Sequence, residues 1–339
     1  MNRGSWLAIT AMLIAFGAAC RMQADSSDTS DRNAVTADAT VNALEEAYGI
    51  HRGERRNHTK GTCALGSFVG EERVSKYSRS QLFSGQPIPV VARFSLAGGN
   101  PTAHDTEKSP RGMALEFRLP DGALQHMTMI NTPMFFAAMP RTFLDKMKAL
   151  KPDPRTGEPD PEALKAFAAS HPDNAGQARF LADHNPPPSY ANSAYFGIHT
   201  FRFIHRNDTV TLVRWRFVPQ DGEKELSTAE LATMPANFLE DALIRRTAQG
   251  PMRWTMIVTI GQAGDTEDDP TQLWPSNRQE LTAGVLTISS AMRQHRAGCE
   301  NINYDPLMMA DGVAPSTDPV LLFRSPSYGV SAARRLQGQ

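Results

Sequence analysis

RGMALEF and ALQHMTMI are apolar runs with a Pro-Asp-Gly turn between them. Asp-Gly between two apolar runs predicts a β-hairpin over residues 111–117 and 123–130. A second hairpin is predicted in FGIHTFRFIH and TVTLVRWRF, residues 196–205 and 209–217, around Asn207-Asp208. Val213-Arg214-Trp215-Arg216-Phe217 alternates strictly, the mark of a strand with one buried face. Apolar, β-branched runs predict further strands at 88–96, 253–260 and around 283–289. Helical periodicity predicts helices over 41–49, 140–150, 161–170, 175–184 and 228–248. The last of these carries Leu231, Met234, Phe238, Leu239 and Leu243 on one face and is interrupted by Pro235. Residues 151–160 and 185–188 read as loops, and there is no internal repeat. Hairpins with one apolar face, punctuated by helices rather than alternating with them, predict an α+β fold: an antiparallel β-barrel with surrounding helices.

The N-terminus has a different pattern. Arg3, the apolar run Leu7 to Phe16, and small residues up to Ala19 make the three-part secretory signal, residues 1–20. The run is shorter than the roughly 20 residues of a membrane span. Small residues ending at Cys20 also resemble a bacterial lipoprotein box, with Gly17 where that box usually has Leu, so soluble processing and a lipid anchor at Cys20 both stay open. Residues 21–40 are rich in Ser, Asp and Thr and predict a flexible linker. The expectation is an exported, periplasmic protein with one domain over residues 41–339.

Composition narrows the class. The chain is 40% hydrophobic and 21% charged, with a net charge of −1 and its Lys and Arg dispersed, which argues against nucleic acid. No second apolar run is long enough for a transmembrane span. Beyond Cys20 there are only Cys63 and Cys299, with no CxxC pair and no disulfide framework. A single bridge in an oxidising compartment stays open; lone cysteines are more often separate, buried small hydrophobes.

Two segments carry candidate chemistry. RRNHTKGT, residues 55–62, surrounds His58 with Arg55, Arg56 and Lys60. In FRSPSYGVSAARRLQG, residues 323–338, Ser325 as N-cap and Pro326 in the first turn predict a helix start. Helical spacing then puts Tyr328 and Arg335 on one face, two turns apart, with Arg324 just ahead of the helix. A cation there is mildly unfavourable unless an anion, such as a phenolate, compensates it. Arg324 beside Tyr328 would in turn favour the ionised phenol. His199, on a strand, reads as a structural histidine, and Met127, Met129, Met134 and Met139 read as core filler.

Taken together, HRGERRNHTKG, PVVARFSLAGGNP, RGMALEF, MINTPMFF, YFGIHTFRF, DDPTQLWP, INYDP and RSPSY-to-ARR resemble, in order and spacing, the catalase superfamily, and most closely its short branch of catalase-related haem peroxidases. The resemblance runs from about residue 48 to the end of the chain. It implies a C-terminal proximal-ligand helix and a haem b (iron protoporphyrin IX) cofactor. By it His58 matches the distal histidine, Asn131 the distal asparagine, and Ser95 the serine bonded to that histidine. Tyr328 matches the proximal ligand of the haem iron and Arg324 its charge partner; Arg55, Arg93 and Arg335 match propionate-binding positions, and Phe143 a residue packed on the haem face. Arg56 and Lys60 have no such counterpart and read as solvated.

The chemistry suits those residue types. Splitting a peroxide O–O bond needs a base that removes a proton from one oxygen and returns it to the other, and imidazole does both near neutral pH. The resemblance implies hydrogen peroxide or an organic hydroperoxide as substrate and a small-molecule electron donor. Two features depart from full-length catalases: the chain lacks a helical portion after the proximal segment, and Asn57 stands before the distal histidine where an apolar residue is typical. Catalase activity is therefore expected to be secondary to peroxidase activity. The alternatives are a haem-dependent lipid hydroperoxide isomerase and a non-catalytic haem- or lipid-binding barrel.

Overall fold

A computed structural model describes residues 35–339. The signal, Cys20 and residues 21–34 of the linker lie outside the described residues. Eight antiparallel strands form a closed barrel: β1 (Gly61–Gly70), β2 (Pro87–Leu96), β3 (Arg111–Arg118), β4 (Leu124–Ile130), β5 (Tyr195–Ile204), β6 (Val210–Pro219), β7 (Met252–Ile260) and β8 (Glu280–Arg293). Their order is β4-β3-β2-β1-β8-β7-β6-β5, and the pairing of Ile130 with Phe196 closes β4 onto β5. A short β9 (Val313–Pro315) adds to β5. The barrel interior is filled by Phe68, Phe94, Phe117, Phe203, Phe217 and Trp254, all but sealed from solvent. Phe68 and Phe117 meet edge-to-face, with centroids 5.4 Å apart.

The other face of β2, β3 and β4 is not solvated, and that positions the site. Side chains alternate along a strand. Val90, Ala92 and Phe94 enter the barrel core, while Arg93 and Ser95 turn outward into a cavity. That cavity is covered by α1 (Ala37–Tyr48), α2 (Pro140–Ala149) and the C-terminal α7 (Pro319–Leu336). The remaining helices are α3 (Pro161–Ser170), α4 (Ala175–Asp183), the single turn α5 (Thr228–Leu231) and α6 (Phe238–Ala248). Among the described residues no helix is long and apolar enough to cross a membrane.

Both predicted hairpins form, and so do the strands predicted near 88, 253 and 283. Four expectations are corrected. First, the domain starts earlier than residue 41: Thr36 caps α1 through its hydroxyl, and Thr40 and Val41 are buried. Second, the helix predicted over 228–248 is two helices, with Pro235 between them and Ser227 and Glu230 closing a capping box on the first. Third, the last helix starts at Pro319 rather than at Ser325. Asp318 is its N-cap and accepts from the backbone N–H groups of Val320 and Leu321, so Arg324 and Pro326 lie inside the helix. Fourth, Arg56 and Lys60 are not solvated. Arg56 is 4% exposed and pairs with Glu45 at 2.7 Å, and Lys60 pairs with Asp105 at 2.7 Å. The pairing left open for Cys63 and Cys299 is formed, a disulfide across 236 residues. Bridges of this kind typically stabilise by about 2–4 kcal/mol.

Candidate active site

His58 sits in the loop between α1 and β1 with φ +53°, a left-handed backbone rare outside glycine and somewhat tolerated by His. Neighbouring groups hold it there. Its N–H donates to Asn57 Oδ1 (2.9 Å), and Arg93 Nη2 donates to the carbonyls of His58 (2.7 Å) and Thr59 (3.0 Å). The ring faces the cavity, with Nδ1 2.9 Å from Ser95 Oγ. Burial, and then the positive charges of Arg93, Arg324 and Arg55, push the imidazole pKa down to about 3. It is neutral throughout the physiological range.

Gly112, opposite on β3, makes room for this pair. A Cβ there would lie 2.6 Å from Ser95 Oγ and 2.9 Å from His58 Nδ1. Gly112→Ala is expected to displace the imidazole and lower the peroxide reaction rate by about 10²-fold, as misplacement of a reacting group by about 1 Å does. Stopped-flow rates beside an unchanged β-sheet circular dichroism signal would check it.

Thr128, Met129 and Ile130 on β4 line the cavity, and Asn131 is the next residue, just beyond the strand. Its Oδ1 accepts the Arg111 backbone N–H at 2.7 Å, and its own N–H donates to the Arg111 carbonyl at 2.9 Å. The carboxamide oxygen ties Asn131 to β3, its NH₂ has no protein partner among the described residues, and Ile130 pairs with Gly112 across the strands.

The opposite wall is α7. Arg324 and Tyr328, four residues apart, share a face of the helix, and Arg324 Nη2 donates to Tyr328 Oη (2.7 Å) and Thr128 Oγ1 (2.9 Å). Arg324 Nη1 reaches His199 Nε2 at 3.1 Å, and His199 Nδ1 reaches Asp318 Oδ2 at 2.6 Å. An arginine can only donate, so His199 Nε2 accepts and its Nδ1–H donates to Asp318. Asp318 therefore caps α7 with one oxygen and orients His199 with the other. The dipole penalty expected for Arg324 does not arise, because the residue sits in the second turn of α7. His199, Asp318 and Thr128 were not legible as site residues, since their pairings span 119 and 196 positions. Only His199 stood out in the sequence.

The cavity measures ≈490 Å³, within the range of cofactor pockets. His58, Ser95, Arg55, Arg93, Phe143, Arg324 and Tyr328 all line it, as do Lys108 and Lys146; among the described residues none of the lining side chains is Asp or Glu. Phe143 packs with Phe136, centroids 5.5 Å apart. Arg55 donates through Nη2 to the carbonyls of Cys299 (3.1 Å), Glu300 (2.9 Å) and Ile302 (2.7 Å), so the disulfide fixes the loop that seats it. Burial, with Arg93 and Arg335 nearby, lowers the Arg55 pKa to about 8. Arg335 is buried, donates to the Glu300 carbonyl through Nη1 at 3.0 Å, and leaves Nη2 without a partner. Arg55 and Arg93 line the cavity and Arg335 lies close enough to lower the pKa of both.

The catalase family's sequence profile matches residues 18–339. The chain belongs to the catalase family. It is 54% identical over 304 residues to a catalase-related peroxidase of Synechococcus elongatus, covering 90% of this chain and 90% of that protein. It is 32% identical over 302 residues to a catalase-related peroxidase of Mycolicibacterium paratuberculosis, covering 89% and 95%. A solved bacterial catalase superposes with a TM-score of 0.77 at 27% identity, over 84% of this chain and 58% of that one. The short chain thus spans a little over half of that larger catalase.

The catalase family implies a haem cofactor, and this cavity fits one. The orphaned Arg335 Nη2 and its neighbours Arg55 and Arg93 suit a pair of carboxylates, for which a guanidinium fork is well shaped. Tyr328 and His58 stand on different walls of the same space, one offering a phenol oxygen and the other an imidazole.

Proposed function

We propose that the chain is an exported, periplasmic haem b peroxidase that reduces hydrogen peroxide or organic hydroperoxides with electrons from a small-molecule donor, catalase activity being secondary. The observation that carries this reading is the placement of a neutral, hydrogen-bonded His58 in one cavity with the Arg324–Tyr328 pair. Tyr328 Oη would ligate the iron, with Arg324 stabilising its anionic form; Arg55, Arg93 and Arg335 would hold the propionates; Phe143 would pack against the ring. Bound haem supplies the oxidation–reduction chemistry of O–O cleavage. His58 Nε2 takes a proton from the bound peroxide oxygen and returns it to the departing one, which leaves as water or an alcohol. Ser95, accepting from Nδ1–H, keeps Nε2 unprotonated for the first transfer.

The apolar wall of Leu44, Phe135, Phe136, Met147, Leu150 and Leu181 supports organic hydroperoxides as substrates. The Cys63–Cys299 bridge supports an oxidising compartment, since such bonds persist outside the cytosol. Named peroxidases among the relatives weigh against isomerisation and against a barrel without turnover. At equal peroxide, oxidation of an added reductant is expected to outpace dioxygen release. Vigorous dioxygen release with no reductant turnover would defeat the assignment.

A further inference from the structure

We propose that the segment of residues 294–303, just after β8, is the clamp for the cofactor's carboxylates, and that the Cys63–Cys299 bridge is the anchor that positions it. Haem affinity then depends on the disulfide. This inference rests on the peroxidase reading. Three arginines from three separate elements bond to this one segment. Arg55, in the loop before β1, donates to the carbonyls of Cys299, Glu300 and Ile302. Arg335, on α7, donates to the Glu300 carbonyl, and Arg93, on β2, donates through Nε to Gln294 Oε1 at 2.7 Å. These acceptors are carbonyl and carboxamide oxygens. They orient each guanidinium and leave its charge for a carboxylate.

The segment needs an anchor. It has no helix or strand of its own, and Arg296 within it takes a left-handed backbone, φ +62°. Its packing is a small cluster apart from the barrel core, in which Cys63, Val91, Cys299 and Tyr304 meet Ala297 and Ile302. The disulfide ties the middle of the segment to β1. The carbonyls that hold Arg55 belong to Cys299 itself and to residues within three positions of it, so a shift at the bridge moves Arg55 directly. Glu300 passes the same shift to Arg335. Cys63 and Cys299 are 2% and 0% exposed, which shields the sulfurs from attacking thiols and makes the bond a standing anchor rather than a reversible switch.

The bland reading is that the bridge only stabilises the fold. Haemin and its dimethyl ester separate the two, because the ester lacks the carboxylate charges. In Cys63→Ala/Cys299→Ala, haemin affinity, measured by transfer to an acceptor apoprotein, is expected to fall about 10–100-fold, the worth of one hydrogen bond to a charged group. Affinity for the ester should stay within about twofold of wild type, as for changes that are not coupled. The same exchange made in an Arg55→Ala background should cost less than in the wild type, since part of the path is already gone. An unchanged haemin affinity, equal losses for haemin and ester, or a full additive loss beside Arg55→Ala would overturn the proposal. If the bridge-free chain does not fold, Ile302→Ala decides, because it loosens the same segment with the bond intact. A loss confined to haemin supports the clamp; no loss, or an equal loss for the ester, overturns it. A wild-type chain that takes up no haemin would instead overturn the peroxidase reading.

Discussion

Exchanging His58 for alanine is expected to cut peroxide consumption by about 10²–10⁴-fold, the usual worth of a positioned acid–base group, while haem uptake continues. The imidazole contributes little to the scaffold: its single side-chain bond is to Ser95, whereas the loop is held by backbone groups of His58 and Thr59. Its pKa, lowered to about 3 from 6.5, also fixes the pH dependence. The base form persists, so the wild-type rate should stay level from pH 8 down to about 5, well below where an ordinary histidine would protonate. Stability follows the same shift. A depressed folded-state pKa favours the native state above pH 6.5, and this contribution is lost as pH falls toward 3, because the unfolded chain takes up a proton that the folded one refuses. A rate that halves near pH 6.5 would contradict the buried, cation-flanked environment.

Tyr328→Phe carries the second large effect. Removal of Oη deletes the oxygen proposed to hold the iron, while Arg324 keeps its bonds to Thr128 and His199. The cost in the haem-free protein is one hydrogen bond to a charged group, at most about 3 kcal/mol. The cost in haem affinity should be far larger, above about 10²-fold, since even outer partners of a metal ligand are worth about 10–100-fold. Transfer of haem to an acceptor apoprotein would measure it. Unchanged retention by the phenylalanine variant would remove Tyr328 from the ligand position.

Much of this was legible in the sequence, and the misses share a cause. Hairpins were readable because Asp121-Gly122 and Asn207-Asp208 are local turn signals between apolar runs. β1 was missed because Gly61, Gly66 and Gly70 dilute its apolar pattern. A Cβ at Gly66 would strike the Thr287 carbonyl, so the close strand approach that demands glycine also hides the strand. His58, Ser95, Arg93, Arg324 and Tyr328, singled out because the ordered motifs carry them together, line one cavity. Ser325-Pro326 imitates a helix start through local chemistry, but the true cap, Asp318, is chosen by a histidine 119 residues away. The solvated reading of Arg56 and Lys60 failed in the same manner, for their partners Glu45 and Asp105 are not sequence neighbours.

The central claim is that this cavity holds haem between Tyr328 and His58 and turns over peroxide there. The direct test is an absorption titration of the purified protein with haemin, followed by one equivalent of hydrogen peroxide. The account predicts a Soret band that saturates at one haem per chain, with high-spin ferric features, and that changes promptly on adding peroxide. A titration with no saturable Soret band, or a bound haem whose spectrum ignores peroxide, would contradict it.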